Sequence, residues 1–357
     1  MKKWVIAIAL VPVVLVGAMV APPLVVPIWD QYRPRPVVPV DSAMRRQTID
    51  ALVAEIRDHY VFPQKAAEVE TLLRQRQRNG AYDAISDGEQ LATTLTEDMA
   101  SVAADKHMRV DFSPDYLPPL PPRKSELPSA PDPTGLVDVI SRRMANFVAN
   151  FGVEKVELMP SNIGYLELSS FPFPEMTADK YGAAMDKLAG TDSLIIDLRE
   201  NGGGLPTSVA LSASYFFDQR TRLNGIWWRD TGRTDQLWTA EALAGKRYGG
   251  QKKVAILIGP HTRSAAEDFA YTMQTLKRAT LIGAPTWGGA HPAFNYRLGD
   301  HFNARIPNAR TISPITNTNW EGVGVIPDVE ATPEAALGVA QAHLLRKDQR
   351  AAFTGGQ

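Results

Sequence analysis

Residues Val254–Ala290 read VAILIGPHTRSAAEDFAYTMQTLKRATLIGAPTWGGA, and this stretch decides the fold. Its apolar run VAILI, bounded by Gly259 and Pro260, is typical of a buried strand. A short polar turn then leads to Ser264, behind which small and apolar residues recur at helical spacing. A second apolar run begins at Thr280. This order of strand, turn, helix and strand predicts an α/β domain with Ser264 at the start of a helix.

Two roles are open for Ser264 at this point. A helix N-terminus offers amides and a dipole that favour negative charge, which a tetrahedral intermediate requires. The segment from Ser264 to Glu267 also matches a capping box, in which the serine only satisfies helix amides. Other parts of the chain are needed to decide between a nucleophile and a cap.

The composition is that of an ordinary globular protein. The chain has 357 residues, of which 44% are hydrophobic and 22% are charged, and this length predicts two domains. A net charge of −1 argues against a nucleic-acid partner. The absence of cysteine excludes disulfides, thiolate nucleophiles and cysteine-ligated metals. No histidine lies in an HExxH motif, and we predict neither a metal nor another cofactor.

The N-terminal residues predict export. Lys2 and Lys3 precede a long uncharged apolar segment with small residues suited to cleavage at Gly17, Ala18 and Ala21. The apolar stretch continues to residue 29, which is long enough for an uncleaved membrane anchor. Residues 1–29 are therefore either a signal peptide or an anchor of a periplasmic or extracellular protein. Residues 30–40 follow as a stiff proline-rich linker.

The remaining chain divides into a helical part and an α/β part. Apolar spacing predicts a small bundle of three helices over residues 41–104. Residues 105–162 form a connecting region, with a strand-like pattern at Asp105–Asp111, a proline-rich segment and a helix over Val137–Ala149. Alternating strands and helices over residues 163–346 predict a partly parallel sheet, and residues 347–357 form a tail.

A glycine loop follows the buried strand SLIID. Three glycines, Gly202–Gly204, lie between this strand and the next predicted helix, where their amides can approach a ligand closely. The loop is an oxyanion hole, a phosphate cradle or a tight turn without a ligand. The motifs of a phosphate cradle, GK[ST] and GxGxxG, are missing, which disfavours that alternative.

His107 is the best candidate for a general base. It lies where the helical part meets the α/β part, and an interdomain cleft is a usual place for a site. His261 and His291 flank the serine turn and are rivals for the same role, and a lone histidine is often only structural. Together Ser264, His107 and the glycine loop are the set that acyl transfer requires.

The order of these pieces resembles the tail-specific (C-terminal processing) serine peptidase family, in the branch that contains tricorn protease and interphotoreceptor retinoid-binding protein. The resemblance covers the chain from about Asp41 to Leu345. It implies an α/β fold with a ClpP/crotonase-like β-α-β core, a small N-terminal helical bundle, no PDZ domain, and a peptide or protein substrate. The matching segments are DKHMRV (Asp105–Val110), IGYLEL (Ile163–Leu168), IIDLRENGGG (Ile195–Gly204), TRSAAEDF (Thr262–Phe269), IGAPTWGGA (Ile282–Ala290) and GVGVIPDV (Gly322–Val329).

The resemblance also implies roles for individual residues. Ser264 is the nucleophile, and the amides of Gly203 and Ala265 form the oxyanion hole. In the processing-protease branch the base is a lysine, whose position is Gly289 here. The base is therefore expected to be His107, as in the tricorn-like branch.

An acidic residue completes the site in that branch, and its counterpart here is Glu321. In tricorn-like members a hydroxyl residue beside the histidine relays to this acid, but that neighbour is Lys106 in this chain. We therefore expect either Glu321 or Asp105 to orient His107 directly.

Three functions follow from the sequence in order of preference. The first is an exported serine-type endopeptidase that hydrolyses peptide bonds through an acyl-enzyme. The second is a non-catalytic binding protein for a lipophilic ligand on the same scaffold. The third, a crotonase-like acyl-thioester enzyme, is disfavoured because no nucleotide site is evident and the chain carries an export signal. The sequence does not specify the cleavage preference or the oligomeric state.

Overall fold

The computed structural model describes residues 36–120, residue 127 and residues 150–346. The predicted signal peptide or anchor, the first part of the predicted linker, the helix predicted over Val137–Ala149 and the tail lie outside the described residues. Within the described residues, no helix combines the length and the apolar character needed to cross a membrane.

Three helices open the described chain: α1 (Ser42–His59), α2 (Pro63–Arg78) and α3 (Gly88–Ala103). Asp41 caps α1 and Asp87 caps α3, each by accepting a backbone N–H at 2.8 Å. A proline at its first position starts α2. The three helices predicted from apolar spacing are therefore confirmed.

The centre of the molecule is a six-stranded sheet. Five neighbouring strands are parallel, and the strand at one edge is antiparallel to its neighbour. In spatial order the strands are β12 (Val329–Glu330), β8 (Thr280–Gly283), β7 (Lys253–Ile258), β4 (Ser193–Asp197), β3 (Ile163–Leu168) and β2 (Val153–Met159).

Both faces of this sheet are buried, as parallel sheets require. On one face, side chains such as Ile196 and Ile256 pack against helices α4 (Pro174–Leu188), α5 (Pro206–Ala213) and α6 (Ala265–Thr275). On the other face, the alternate residues Ile195 and Leu257 pack under helix α7 (Ala336–Leu345). The predicted α/β fold with a partly parallel sheet is confirmed.

Two small antiparallel sheets complete the fold. One has the order β1 (Arg109–Phe112), β10 (Phe302–Pro307) and β9 (Ala293–Arg297), and the other has the order β11 (Ala309–Ile312), β5 (Arg222–Trp228) and β6 (Thr234–Trp238). Side chains from β9 and β10 share a core with the three N-terminal helices. The helical part is thereby attached to the α/β part through the pairing of β1 with β10.

One strand is shorter than the sequence pattern predicts. The alternation over Asp105–Asp111 predicts a strand with Asp105, His107 and Arg109 on one side, but the strand covers only Arg109–Phe112. Residues 105–108 form a turn instead, in which the Met108 N–H donates to the Asp105 carbonyl at 3.1 Å. The turn buries Asp105 and His107, whereas Arg109 is exposed.

Candidate active site

Ser264 has a backbone conformation that an ordinary helix cap lacks. Its φ of 51° and ψ of −116° contrast with the extended conformations of the caps Asp41 and Asp87. Ser264 is the second residue of a tight turn that the Ala266 N–H closes on the Arg263 carbonyl at 3.0 Å. A non-glycine residue in this conformation costs about 1–3 kcal/mol and is typical of functional sites. The cap interpretation alone therefore does not account for Ser264.

The carboxylate of Glu267 holds this turn against the loop after β8. Fully buried, it accepts the Ser264 and Gly289 N–H groups on Oε2 at 2.8 and 3.0 Å. Its Oε1 accepts the Thr286 hydroxyl and the Gly288 N–H at 2.6 and 2.5 Å. Burial raises the pKa of Glu267, and the four hydrogen bonds oppose that shift. Glu267 therefore both completes the capping box with Ser264 and links the serine turn to the loop after β8.

The glycine loop lies directly beside the serine turn. Both follow parallel strands whose carboxyl ends meet at one edge of the sheet. The Arg263 N–H donates to the Asn201 carbonyl at 3.0 Å, which ties the two segments together. A Cβ on Gly203 would lie 2.9 Å from Ser264 Cβ, so this approach requires glycine.

The backbone N–H groups near Ser264 differ in whether they already have a hydrogen-bond acceptor. The Gly203 N–H donates to the buried Asn201 side-chain oxygen at 2.9 Å. Within the described part of the chain, the N–H groups of Gly204 and Ala265 have no hydrogen-bond acceptor. Gly204 and Ala265 line the same cavity as Ser264, whereas Gly203 does not. The geometry therefore makes Gly204 and Ala265 available as donors.

His107 is buried and lines the cavity that contains Ser264. Its ring packs edge-on against Trp287 with 5.0 Å between centroids, and its Nδ1 is buried without a hydrogen-bond partner. Burial, and then the charge of Arg305, lower the pKa of His107 to about 4. The imidazole is therefore neutral at physiological pH and can accept a proton. No hydrogen bond joins it to Ser264 within the described residues.

Gly289 lies where a side chain, such as that of a lysine, would not fit. A Cβ at this position would lie 2.6 Å from the His107 Cε1 atom and 2.3 Å from the Trp287 ring. The imidazole of His107 therefore occupies the space that a side chain at residue 289 would need.

The shared cavity has a volume of about 230 Å³. Its walls are mostly apolar, and four ionisable side chains face it from different parts of the chain. The apolar lining residues include Leu205, Pro206, Ile226, Trp228, Phe294 and Trp320. The ionisable lining residues are His107, His291, Asp268 and Arg305.

Neither Glu321 nor Asp105 contacts the His107 ring as the sequence analysis expected. Asp105 Oδ1 accepts the His107 backbone N–H at 3.1 Å. The carboxylates of Asp105 and Glu321 instead face the Nδ1 of His291, at 2.7 and 3.4 Å. The side-chain amine of Lys106 donates to the Trp287 carbonyl, whereas the backbone N–H of Lys106 interacts with the Glu321 carboxylate.

The cluster of Asp105, His291 and Glu321 is buried or nearly so. Burial, and then the charge of Asp105, raise the pKa of Glu321. One ligand atom from each residue lies within 4.8 Å of the others, so these residues could hold a metal ion. The short contacts to one ring nitrogen are equally those of a carboxylate-bound imidazole.

Of the candidate histidines, the structure brings His107 and His291 to the cavity and leaves His261 exposed on the serine turn. Sequence reasoning named Glu267 only as a cap and missed Asn201 and Arg305. The asparagine was visible as the residue before the three glycines. Nothing in the local pattern around Arg305 indicates a site.

Two family models match the chain. Residues 162–331 match the model described as peptidase family S41. Residues 38–140 match the model described as the N-terminal domain of peptidase S41 in eukaryotic IRBP. The first match contains Ser264 and the glycine loop, and the second contains His107.

Curated proteins with similar sequences carry related names. The chain is 29% identical over 174 residues to the carboxy-terminal-processing protease of Bartonella bacilliformis, covering 47% of this chain and 38% of that protein. It is 28% identical over 177 residues to the chloroplastic carboxyl-terminal-processing peptidase 2 of Arabidopsis thaliana, covering 46% and 31%. The chain therefore spans less than two fifths of the length of these relatives.

Solved structures support the fold. A candidate peptidase from Parabacteroides merdae superposes with a TM-score of 0.60 and 19% identity, covering 85% of this chain and 97% of that one. A lipoprotein from Streptococcus agalactiae gives a TM-score of 0.55 and 13% identity, covering 84% and 96%. At these identities the likeness concerns the fold alone.

The link made by Glu267 can be tested by substitution with its amide. Glu267→Gln keeps the shape but turns one acceptor oxygen into a donor, which leaves two buried donors without partners. We expect the free energy of unfolding to fall by about 2–6 kcal/mol, at about 1–3 kcal/mol for each unsatisfied group. Urea unfolding followed by circular dichroism measures this loss. Glu241→Gln, at an exposed position, is the control, and equal stabilities of the two variants would contradict the assigned role.

Proposed function

Since the chain belongs to peptidase family S41, we propose that it is a serine-type endopeptidase that hydrolyses peptide bonds through an acyl-enzyme. The observation that supports this most is that a strained serine and a buried, neutral histidine line one cavity beside two free backbone amides. Acyl transfer needs a nucleophile, a base and an oxyanion hole.

Ser264 is the proposed nucleophile. Its turn places the hydroxyl at the carboxyl edge of the sheet and in front of helix α6, where the helix dipole favours a developing negative charge. The serine hydroxyl attacks the substrate carbonyl carbon as its proton passes to the base. The resulting tetrahedral intermediate then expels the amine of the leaving peptide.

His107 is the proposed general base. It accepts the Ser264 proton in the attack and donates it to the leaving amine when the intermediate collapses. Water then attacks the acyl-enzyme by the same route in reverse. Asp105 supports this role through the His107 backbone, because its carboxylate accepts that N–H. Glu321 contributes indirectly, by holding His291 together with Asp105.

The proposed oxyanion hole is formed by the amides of Gly204 and Ala265. The resemblance to the family implies Gly203 as the donor in place of Gly204. We propose instead that Gly203 positions the loop. Its N–H is bound to Asn201, and its lack of a side chain lets the loop approach Ser264. Because the Gly203 N–H is already bound to Asn201, the next N–H along the loop, that of Gly204, is the proposed donor.

Substrate class and location are extensions of this proposal. The relatives are named for processing at the carboxyl terminus, and we propose a protein or peptide substrate for this chain. Export rests on the apolar residues 1–29. The alternative role as a carrier of a lipophilic ligand is disfavoured, because the cavity of about 230 Å³ is smaller than the ~300–1,000 Å³ of usual ligand sites.

A fluorophosphonate probe tests the nucleophile and the base. We expect the folded protein to be labelled at Ser264, because the probe mimics the tetrahedral intermediate and traps an activated serine. Ser264→Ala should abolish labelling, and His107→Ala should slow it by about 10²–10⁴-fold, the usual contribution of a general base. Mass spectrometry identifies the labelled residue. A folded protein that takes no label would contradict the peptidase proposal and favour the carrier.

The pH dependence of labelling tests the state of His107. Only the neutral imidazole accepts a proton, and burial lowers its pKa to about 4. The labelling rate should therefore stay constant as the pH falls from 7 towards 5, and reach half its maximum near pH 4. Circular dichroism at each pH identifies the range in which the protein stays folded. A half-maximum near the ordinary histidine value of about 6.5 would contradict the assignment.

The contact between Gly289 and His107 makes a further variant informative. Gly289→Ala places a methyl group where the imidazole lies, so we expect the labelling rate to fall by about tenfold or more as the base is displaced. Gly259→Ala is the matched control, because a Cβ there meets nothing within 4 Å. Equal labelling rates for the two variants would show that His107 does not need this space.

A further inference from the structure

Strand β10 has one face in the core and one face towards the cavity. Phe302, Ala304 and Ile306 point into the core shared with the N-terminal helices. Because side chains alternate along a strand, Arg305 projects from the opposite face, where it lines the cavity that contains Ser264. The fold therefore places a positive charge in the wall of the cavity that contains the candidate nucleophile.

This arginine has no partner within the described part of the chain. It makes no hydrogen bond and no ion pair there, and its Nε is buried. Burial lowers the pKa of the Arg305 guanidinium, which reflects the cost of holding this charge away from water. An arginine in such a position is costly to the folded protein unless an anion joins it.

The acidic groups nearby are engaged elsewhere. Asp111 accepts a hydrogen bond from the Nε–H of Arg109. Arg109 in β1 is the residue that pairs with Arg305 in β10. Asp105 faces His291 together with Glu321. None of these carboxylates is bound to Arg305.

Asp268 is the other acid of the cavity, and it also has its own partners. Its Oδ1 accepts the side-chain amide of Asn224 at 2.6 Å and lies 3.4 Å from the Thr272 hydroxyl. Within the described residues, the cavity therefore contains an arginine that no carboxylate contacts directly, and the only carboxylate charge that acts on it is the more distant one of Asp111.

We propose that Arg305 determines specificity by binding a carboxylate of the substrate peptide, supplied by an acidic side chain or by the peptide's own carboxyl terminus. This inference rests on the proposed peptidase function, which makes a peptide the ligand of the cavity. The planar guanidinium matches a carboxylate through two parallel hydrogen bonds. The apolar walls provided by Ile226, Trp228 and Phe294 strengthen that pairing by excluding water.

Binding of a carboxylate would also act on the base. Arg305 is the first charged group that lowers the pKa of His107, since its positive charge opposes protonation of the imidazole. A carboxylate beside Arg305 neutralises this effect and makes His107 a stronger proton acceptor. A substrate whose carboxylate binds Arg305 therefore makes His107 a stronger base for activating Ser264.

Calorimetric binding to Ser264→Ala tests the proposal without cleavage. The probes are N-acetyl-tetra-alanine as the free acid and as the amide, and N-acetyl-Ala-Ala-Glu-Ala-amide with its Gln counterpart. We expect at least one acidic peptide to bind about tenfold more tightly than its neutral match, as a charged hydrogen bond of about 1.5 kcal/mol provides. Tighter binding of the free acid than of the amide identifies the peptide's carboxyl terminus as the source of the carboxylate. Tighter binding of the Glu peptide than of the Gln peptide identifies a side chain.

Adding Arg305→Gln to Ser264→Ala should remove this preference, and circular dichroism verifies that the variant is folded. Arg305→Lys should retain part of the preference, because it keeps the charge. Arg78→Gln is the control, since it removes an exposed arginine that does not line the cavity, and it should retain the full preference.

Equal binding of acidic and neutral peptides, no binding of any peptide, or a preference that survives Arg305→Gln would each overturn the proposal. These results are distinct from failure of the peptidase function. Fluorophosphonate labelling of Ser264 without a carboxylate preference would refute the role of Arg305 alone. A preference that depends on Arg305 in a protein that takes no label would refute the peptidase function alone.

Discussion

The site depends on one buried carboxylate. Glu267 has no exposed surface, and an ionised side chain in that environment is costly unless its oxygens are fully hydrogen-bonded. Four donors meet this need, from Ser264 on one side and from residues 286–289 on the other. The Glu267 carboxylate therefore has all four hydrogen bonds only when the serine turn and the loop of residues 286–289 lie together. The same carboxylate maintains the strained conformation of Ser264 by accepting its N–H.

The second constraint is steric and determines where the base comes from. With glycine at residue 289, the loop held by Glu267 leaves room for an aromatic ring, and His107 fills it from a turn before β1. That turn is held in place because β1 pairs with β10. The helical part of the chain therefore contributes more than packing, since it delivers an imidazole to a serine more than a hundred residues away in sequence.

Local patterns predicted the elements well and the contacts poorly. The strand predicted for VAILI is β7, which ends at Ile258 because Gly259 and Pro260 bound its apolar run, and the three N-terminal helices follow their apolar spacing. The sheet strands β6 and β11 were missed because they are short and rich in polar residues. The partners of Glu267 were also hidden, because three of its donors lie 19, 21 and 22 residues further along the chain. Arg305 could not be identified, since the lack of a contacting carboxylate among the described residues is a property of the assembled cavity.

A buried base creates a conflict that the rest of the cavity has to resolve. Burial keeps His107 neutral and so ready to accept a proton, but the same burial weakens it as a base, with a pKa of about 4. Transfer of the serine proton to such an imidazole is uphill unless negative charge appears nearby at the same time. In the proposed mechanism, the transition state supplies that charge as an oxyanion, which the amides of Gly204 and Ala265 can stabilise. If His107 is the base as proposed, its low basicity confines proton transfer to a cavity that already holds substrate, and this favours peptide hydrolysis over exchange of the serine proton with water.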